Sequence, residues 1–217
     1  QMTDVQAPFE AAMPLGDNRI ALRVTPVALR AGSVSADAGN RFGGGPAASA
    51  SHPGVSPGGQ DASGVGLSVA FDSPAYGVKS DIGITPEGFL YSTPVGGISV
   101  NRRFAGEPNL HWGVSASRRA VTDSVLSFAG AEDKRNGMKW GGVTANGGRA
   151  QLAYDDNKVG AYVTSSWHRL LGNNVEDNDR IELSTGAYWY WQNDEFSKST
   201  IGLNLSGITY SENLGFY

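Results

Sequence analysis

The sequence predicts an all-β fold, an antiparallel transmembrane β-barrel to which this chain contributes roughly the first nine strands. Three observations support the prediction: the alternation of apolar and polar side chains, the length of the alternating segments, and the order of the connections between them. The segment "IELSTGAYWYWQ" at 181–192 shows the alternation. Because successive side chains of a strand point to opposite sides, this segment has an apolar and a more polar face. The apolar face carries Ile181, Leu183, Thr185, Ala187, Trp189 and Trp191.

This alternation fits two architectures. A soluble sandwich would bury the apolar face against a second sheet, whereas a membrane barrel would turn that face to lipid and enclose a polar lumen. Strand length favours the barrel, because common soluble strands have about five or six residues and a tilted membrane strand needs about 9 to 11.

Nine alternating segments are predicted as strands. They lie at 19–30, 65–72, 76–84, 95–104, 110–121, 142–154, 159–170, 180–192 and 199–210. Short connections such as "AGEPN" and "DDNK" carry the residues of tight turns, and they alternate with longer connections. The longer connections occupy 31–64, 85–94, 122–141 and 171–179. Such an order is typical of an outer-membrane barrel, with short turns at one rim and longer loops at the other.

The first long connection, 31–64, is rich in Gly, Ser, Ala and Pro. Such a composition cannot bury much apolar surface. Because the strands on either side share the same alternation, we expect an external loop here rather than a linker between two domains.

The composition restricts the class of protein. The chain has 217 residues, enough for one large β domain, and its 30 Gly suit turns and closely approaching strands. It has no Cys, which excludes disulfides and cysteine metal sites, and its net charge of -4 argues against nucleic-acid binding. The lack of an apolar run of about 18 residues excludes a transmembrane helix but not alternating membrane strands.

Catalytic motifs are weak in this sequence. The letters "GVSPG" at 54–58 match a nucleophile elbow, with His52 nearby. The residue after Ser56 is Pro57, however, which has no N–H to stabilise an oxyanion. The other two histidines lack the spacing of metal ligands, and no phosphate-binding loop is present. We therefore expect neither an enzyme nor a cofactor.

The chain carries, in order, the strings "DIGITPEGF", "VGGISV", "RRAVTDSVLSFAG", "KWGGV", "LAYD" and "LLGNNVEDNDRIELSTGAYW". Together they resemble the C-terminal outer-membrane barrel of the cellulose synthase component C family, the cellulose export porin of bacteria. The opening "MTDVQAPFEAAMPLGDNRIALRV" is similar to the segment that enters that barrel. We therefore expect 1–18 to lead into the barrel and 19–217 to form part of its wall. The resemblance covers most of the chain except 31–64.

The resemblance implies a barrel of about sixteen strands, wide enough to keep a water-filled lumen. It implies a channel in the bacterial outer membrane that exports cellulose or a related exopolysaccharide from the periplasm to the cell surface. The implied partners are the glucan, outer-membrane lipid, a preceding region of periplasmic tetratricopeptide repeats and the cellulose synthase complex, without nucleic acid. Because the helical repeats are absent and family members continue through more strands, we expect the sequence to be a fragment.

Strand phase predicts which side chains line the lumen. Under the resemblance, Trp189 and Trp191 face lipid or its interface. A lumen for a neutral glucan needs hydroxyl-bonding groups and some flat aromatic surface, without tight binding. The predicted polysaccharide path consists of Asn101, Arg103, Arg119, Glu182, Tyr188, Tyr190 and Asn204. For each of these residues, bracing of the barrel wall is the alternative role.

The sequence also allows a second function, a surface-binding or adhesive β domain whose long loops hold the partner. Detergent dependence separates the two, because a domain that stays folded in solution without detergent is not a porin. A barrel enzyme is a more distant third.

Overall fold

The computed structural model describes residues 3–33, 42–193 and 198–212, in which twelve strands form one antiparallel sheet. The strands are β1 (Thr3–Gln6), β2 (Phe9–Leu15), β3 (Asn18–Ser33), β4 (Gly59–Ser73), β5 (Val78–Glu87), β6 (Pro94–Phe104), β7 (Glu107–Ala120), β8 (Ala131–Asp133), β9 (Met138–Asp155), β10 (Val159–Asn173), β11 (Asn178–Asn193) and β12 (Lys198–Tyr210). Two helices, α1 (Gly45–Ser51) and α2 (Val125–Ala129), and a 3-10 turn (Pro74–Tyr76) lie in the connections. Over the described ranges, no helix is long and apolar enough to cross a membrane.

Strands that follow one another along the chain are neighbours in the sheet. The order is β1-β3-β4-β5-β6-β7-β9-β10-β11-β12, with β2 beside β3 and β8 beside β9. The described sheet is open, with β1 and β2 at one edge and β12 at the other. The prediction of an all-β antiparallel fold is confirmed, and strands occupy all nine predicted positions.

The number of strands is larger than predicted, because residues 3–15 also form strands. β1 pairs with 27–30 of β3, and β2 pairs with 18–24, so both lie along the same neighbour. Pro8, which has no N–H for the ladder, falls in the break between them. The predicted number of nine strands is therefore wrong for the described residues.

Two connections that were predicted to be long are short in the structure. Only 174–177 separates β10 from β11, where 171–179 was predicted, and only 88–93 separates β5 from β6, where 85–94 was predicted. The strands continue past the last clearly alternating residue, because main-chain hydrogen bonds do not require alternating side-chain polarity. The other two long connections stay long and contain α1, and α2 with β8.

Side chains divide the sheet into an apolar face and a polar face. On β10, Val159, Ala161 and Val163 of the apolar face are exposed, whereas Gly160 and Thr164 of the polar face are buried. The cross-strand registers carry this division from β2 to β12. Burial is therefore inverted relative to a soluble protein, because the apolar face is the more exposed one.

The buried apolar residues gather at the rim that carries the longer connections. Val27 and Leu29 of β3 pack against Phe128 of α2 in this cluster. α2 begins with a capping box, in which Ser124 Oγ accepts from the Ser127 N–H and Ser127 Oγ from the Ser124 N–H, both at 3.0 Å. Because Val27 and Leu29 have the phase of the polar face, α2 lies on that face of the sheet.

Candidate functional site

The polar face is concave between β2 and β7, where it holds a groove of about 670 Å³. Ion pairs cross this groove. Glu10 accepts from Arg19 Nη2 at 2.8 Å and from Arg23 Nη2 at 2.7 Å, and Arg119 Nη2 donates to Asp81 Oδ1 at 2.6 Å. All of these side chains keep partial exposure, so each pair contributes little to stability and mainly orients its charges in the groove.

All seven residues of the predicted path lie on the polar face, in two groups. The strand registers assign them to β6 and β7 at the groove (Asn101, Arg103, Arg119) and to β11 and β12 farther along the sheet (Glu182, Tyr188, Tyr190, Asn204). The structure thus brings the first three into one groove but does not bring the two groups together. Their role in polysaccharide passage stays a prediction.

The second group belongs to a hydrogen-bonded network beside the short turn at 156–158. Tyr188 and Tyr190 both donate their hydroxyl protons to Asp155 Oδ2, at 2.7 and 2.8 Å. The other oxygen of Asp155 accepts from the Asn157 N–H of the turn at 2.8 Å. Asp155 thereby links β9 and its turn to β11, which positions both tyrosine hydroxyls.

Sequence analysis missed several groups of this face. Glu10 was left in the segment expected to lead into the barrel, although the alternation of "FEAAMPL" could have identified it. Asp155 was missed because it stands at the end of a predicted strand, next to a turn. Tyr162, whose hydroxyl accepts from Asn204 Nδ2, was assigned to the correct face but not to the path.

Two long connections pack on each other and form a loop cap, defined here as 42–58 and 121–137. The Lys134 N–H of one connection donates to the Pro57 carbonyl of the other at 3.1 Å. Phe128 of α2 lines, together with Arg119 and Asp81, a second cavity of about 290 Å³. The loop cap therefore borders the charged groups of the groove.

A buried ion pair holds the two parts of the loop cap together. Asp133 and Arg135 are 2.7 Å apart, and their side chains are 0% and 1% exposed. Arg135 also donates to the Phe42 carbonyl at 3.0 Å and to Ser49 Oγ at 2.8 Å. The Gly44 N–H donates to Asp133 Oδ2 at 3.0 Å. Each member of the pair therefore bonds across to 42–58.

The hydrogen bond from Arg135 lowers the pKa of Asp133 to about 2 from its ordinary 3.8. A lowered folded-state pKa contributes stability that is present above the ordinary value and is lost as pH falls through the folded value. We therefore expect the loop cap to stay docked down to about pH 4 and to loosen between about pH 4 and 2. Hydrogen exchange of the Gly44 amide, corrected for intrinsic rates, measures this. Exchange that is independent of pH over this range would contradict the assignment.

The elbow-like letters at 54–58 do not form a catalytic group. They follow helix α1, and no strand leads into Ser56. Ser56 Oγ accepts from the Gly58 N–H at 3.2 Å, a local turn contact. The strand-to-helix turn that exposes a nucleophile is therefore not built here.

A family profile described as "Cellulose synthase operon protein C C-terminus" matches residues 1–217. The chain belongs to this family. The suspected resemblance is thereby confirmed over the whole chain, including 31–64. Membership in this non-catalytic family also confirms the prediction that the chain is not an enzyme.

Relatives of this C-terminus family come from several bacteria. The chain is 56% identical over 218 residues to "Cellulose synthase operon protein C" of Pseudomonas fluorescens, covering 100% of this chain and 16% of the relative. It is 32% identical over 225 residues to "Cellulose synthase 2 operon protein C" of Komagataeibacter xylinus, with the same coverage of both. A protein of Xanthomonas axonopodis pv. citri is 41% identical over 157 residues, covering 71% of this chain and 10% of the relative. The chain thus spans less than a fifth of the length of these relatives.

Proposed function

We propose that the chain forms part of a β-barrel channel in the bacterial outer membrane, which exports cellulose or a related exopolysaccharide from the periplasm to the cell surface. The observation that carries this proposal is the inverted burial of the sheet. Its apolar face is exposed, while ion pairs and tyrosine hydroxyls lie on the concave face. The names of the relatives, which place them in cellulose synthase operons, suggest the polymer.

The exposed apolar face supports a lipid environment. Leu183 and Trp189 of β11 are 55% and 54% exposed, and Leu203 of the neighbouring β12 is 64% exposed. Soluble monomers rarely expose contiguous apolar patches larger than a few hundred Å². In the part of the chain that the structure describes, no second sheet covers this face. Hydrocarbon around the sheet would make the same arrangement favourable.

Further strands would complete the barrel, to about sixteen in total. β2 and β12 stand at the edges of the described sheet, and their outward main-chain groups require partners in a membrane. Strands that pair with both edges would close the wall. The chain would enter the barrel within 1–18, where β1 and β2 form the first wall position, and 19–217 would continue the wall.

The usual orientation of outer-membrane barrels puts short connections at the periplasmic rim and longer ones outside. We therefore orient the turn at 156–158 towards the periplasm and the loop cap towards the cell surface. The proposed partners are the glucan, outer-membrane lipid, a periplasmic tetratricopeptide-repeat region and the cellulose synthase complex.

The polar face suits a neutral polymer that must move. Its hydroxyl, amide and guanidinium groups can exchange hydrogen bonds with sugar hydroxyls, and most of them keep partial contact with solvent. Such groups replace water without one deep binding site, so passage does not have to overcome a strongly bound state.

We expect the complete protein in a planar bilayer to conduct ions weakly and to conduct strongly once 45–57 is replaced by a short Gly-Ser linker. A lumen of about sixteen strands is wide enough for water, and the replacement removes half of the loop cap. Single-channel conductance is the measurement. As a control, a Gly-Ser replacement of 174–177, at the same rim but outside the loop cap, should leave conductance unchanged.

Two outcomes would contradict the channel. The first is a complete barrel that stays electrically closed after the loop cap and any other plug are removed. The second is a complete protein that stays folded and monodisperse without detergent, which would favour the surface-binding or adhesive β domain.

A further inference from the structure

Three tyrosines form a cluster on the polar face of β10 and β11, towards the end that carries the turn at 156–158. This tyrosine cluster consists of Tyr162, Tyr188 and Tyr190. The strand registers pair Tyr162 with Gly186 and Tyr188 with Gly160. Two of the three tyrosines therefore each face a glycine directly across the ladder.

The glycines allow these two rings to lie along the sheet. A Cβ atom at Gly160 would overlap Cζ of Tyr188, and one at Gly186 would stand 2.7 Å from Cε1 of Tyr162. Both positions are far inside van der Waals contact, so each ring occupies the space above its glycine. One side of each ring covers the backbone, and the other side is directed towards the concave side of the sheet.

Polar contacts rather than apolar packing fix the rings. The hydroxyls of Tyr188 and Tyr190 share Asp155 Oδ2, and the hydroxyl of Tyr162 accepts from Asn204. The rings of Tyr188 and Tyr190 stand at 87° to each other with centroids 5.6 Å apart. They therefore form a rigid corner, with Asp155 at its polar end.

The surroundings of the cluster are almost uncharged. The polar-face neighbours on β10, β11 and β12 are Gly160, Thr164, Ser184, Gly186, Gly202, Asn204 and Ser206. Asp155 is the one charged group in contact with the rings among the described residues. The groove between β2 and β7, by contrast, is crossed by arginines and carboxylates. A ligand of the cluster is therefore neutral and rich in hydroxyl groups.

We propose that the tyrosine cluster is a stacking platform for pyranose rings of a neutral glucan, with Asp155 and Asn204 bonding the sugar hydroxyls. This inference rests on the proposed function and adds a defined subsite to it. The C–H groups on the face of a pyranose ring are apolar and slightly positive, which suits the negative face of an aromatic ring. In the proposed orientation the platform lies near the periplasmic rim, where a chain would enter the barrel.

The test uses the complete protein in a planar bilayer, opened by the Gly-Ser replacement of 45–57, with cellohexaose as the probe. Cellohexaose is expected to block the ion current of this parent. Tyr188→Ser removes the ring and should raise the half-blocking concentration about tenfold, equivalent to about 1.4 kcal/mol. Tyr188→Phe keeps the ring and should stay within about twofold of the parent. Tyr154→Ser, at the same level on the apolar face, is the matched control and should leave the block unchanged.

A purely structural role of the rings, covering exposed glycines, predicts another pattern. Tyr188→Ser would then lower the thermal stability of the barrel without changing the block, and this would overturn the platform. Equal losses in Tyr188→Phe and Tyr188→Ser would also overturn it, because the hydroxyl and not the ring would then bind the sugar. If Tyr188→Ser fails to fold, Tyr188→Leu takes its place, since leucine keeps apolar bulk without an aromatic face.

Failure of the platform differs from failure of the channel. A parent that conducts but is not blocked by cellohexaose would leave the channel standing and overturn the platform. If the parent does not conduct, calorimetric titration of the detergent-solubilised complete protein with cellohexaose still decides the platform. Binding that Tyr188→Ser weakens about tenfold would support it, and unchanged binding would overturn it.

Discussion

Leu183→Arg is expected to impair insertion of the complete protein into lipid by about 2 to 4 kcal/mol, the cost of an arginine on the lipid face near the bilayer midplane. Leu183 lies on the apolar face in the middle of β11, between Ser165 of β10 and Gly207 of β12. Urea titration of the folded fraction in lipid vesicles, read by heat-modifiable gel mobility, measures the cost. The same substitution at Trp189, nearer the short-turn rim, should cost less.

Ser184→Arg is the matched control, because it adds the same charge to the adjacent residue on the polar face. Its cost should be about 1 kcal/mol, from loss of the hydrogen bond between Ser184 and Ser206. Equal costs at Leu183 and Ser184, or a larger cost at Ser184, would show that lipid does not contact the apolar face.

Asp133→Asn is expected to detach the loop cap. Removing one partner of a buried ion pair costs about 3 to 5 kcal/mol, because the remaining charge stays buried without compensation. Arg135 would then lose its carboxylate, and the contact from the Gly44 N–H would weaken as well. We expect faster protease cleavage within 42–58 and a higher conductance of the complete protein in a planar bilayer.

An exposed pair at the same rim provides the control for that experiment. Arg169 and Asp177 are 3.0 Å apart, with side chains 51% and 50% exposed. Asp177→Asn should therefore change stability by no more than about 1 kcal/mol and leave the loop cap docked. If Asp133→Asn were as mild as Asp177→Asn, the buried pair would not be what holds the two connections together.

The alternation was a reliable guide to the faces, since the side-chain period of a strand is two residues whatever the tertiary structure. The faces predicted for 159–170 and 180–192 are those of β10 and β11. The alternation failed where residues carry little contrast, as in β2, whose alanines and proline made "FEAAMPL" look like an irregular segment. It also failed at the ends of strands, where main-chain pairing outlasts the pattern and shortens 171–179 to 174–177.

The order of apolar and polar residues along the chain is thus sufficient to define the all-β class, the strand positions and the two faces. Contacts between side chains required the folded molecule. Asp81 and Arg119 meet because β6 separates their strands in the sheet, and Tyr162 covers Gly186 because of one register. Asp133 and Arg135 are two residues apart, yet their burial comes from 42–58, which is distant in sequence. The physical reason is that a strand pattern depends on local geometry alone, whereas ion pairs and loop docking depend on register and on loop closure across the sheet.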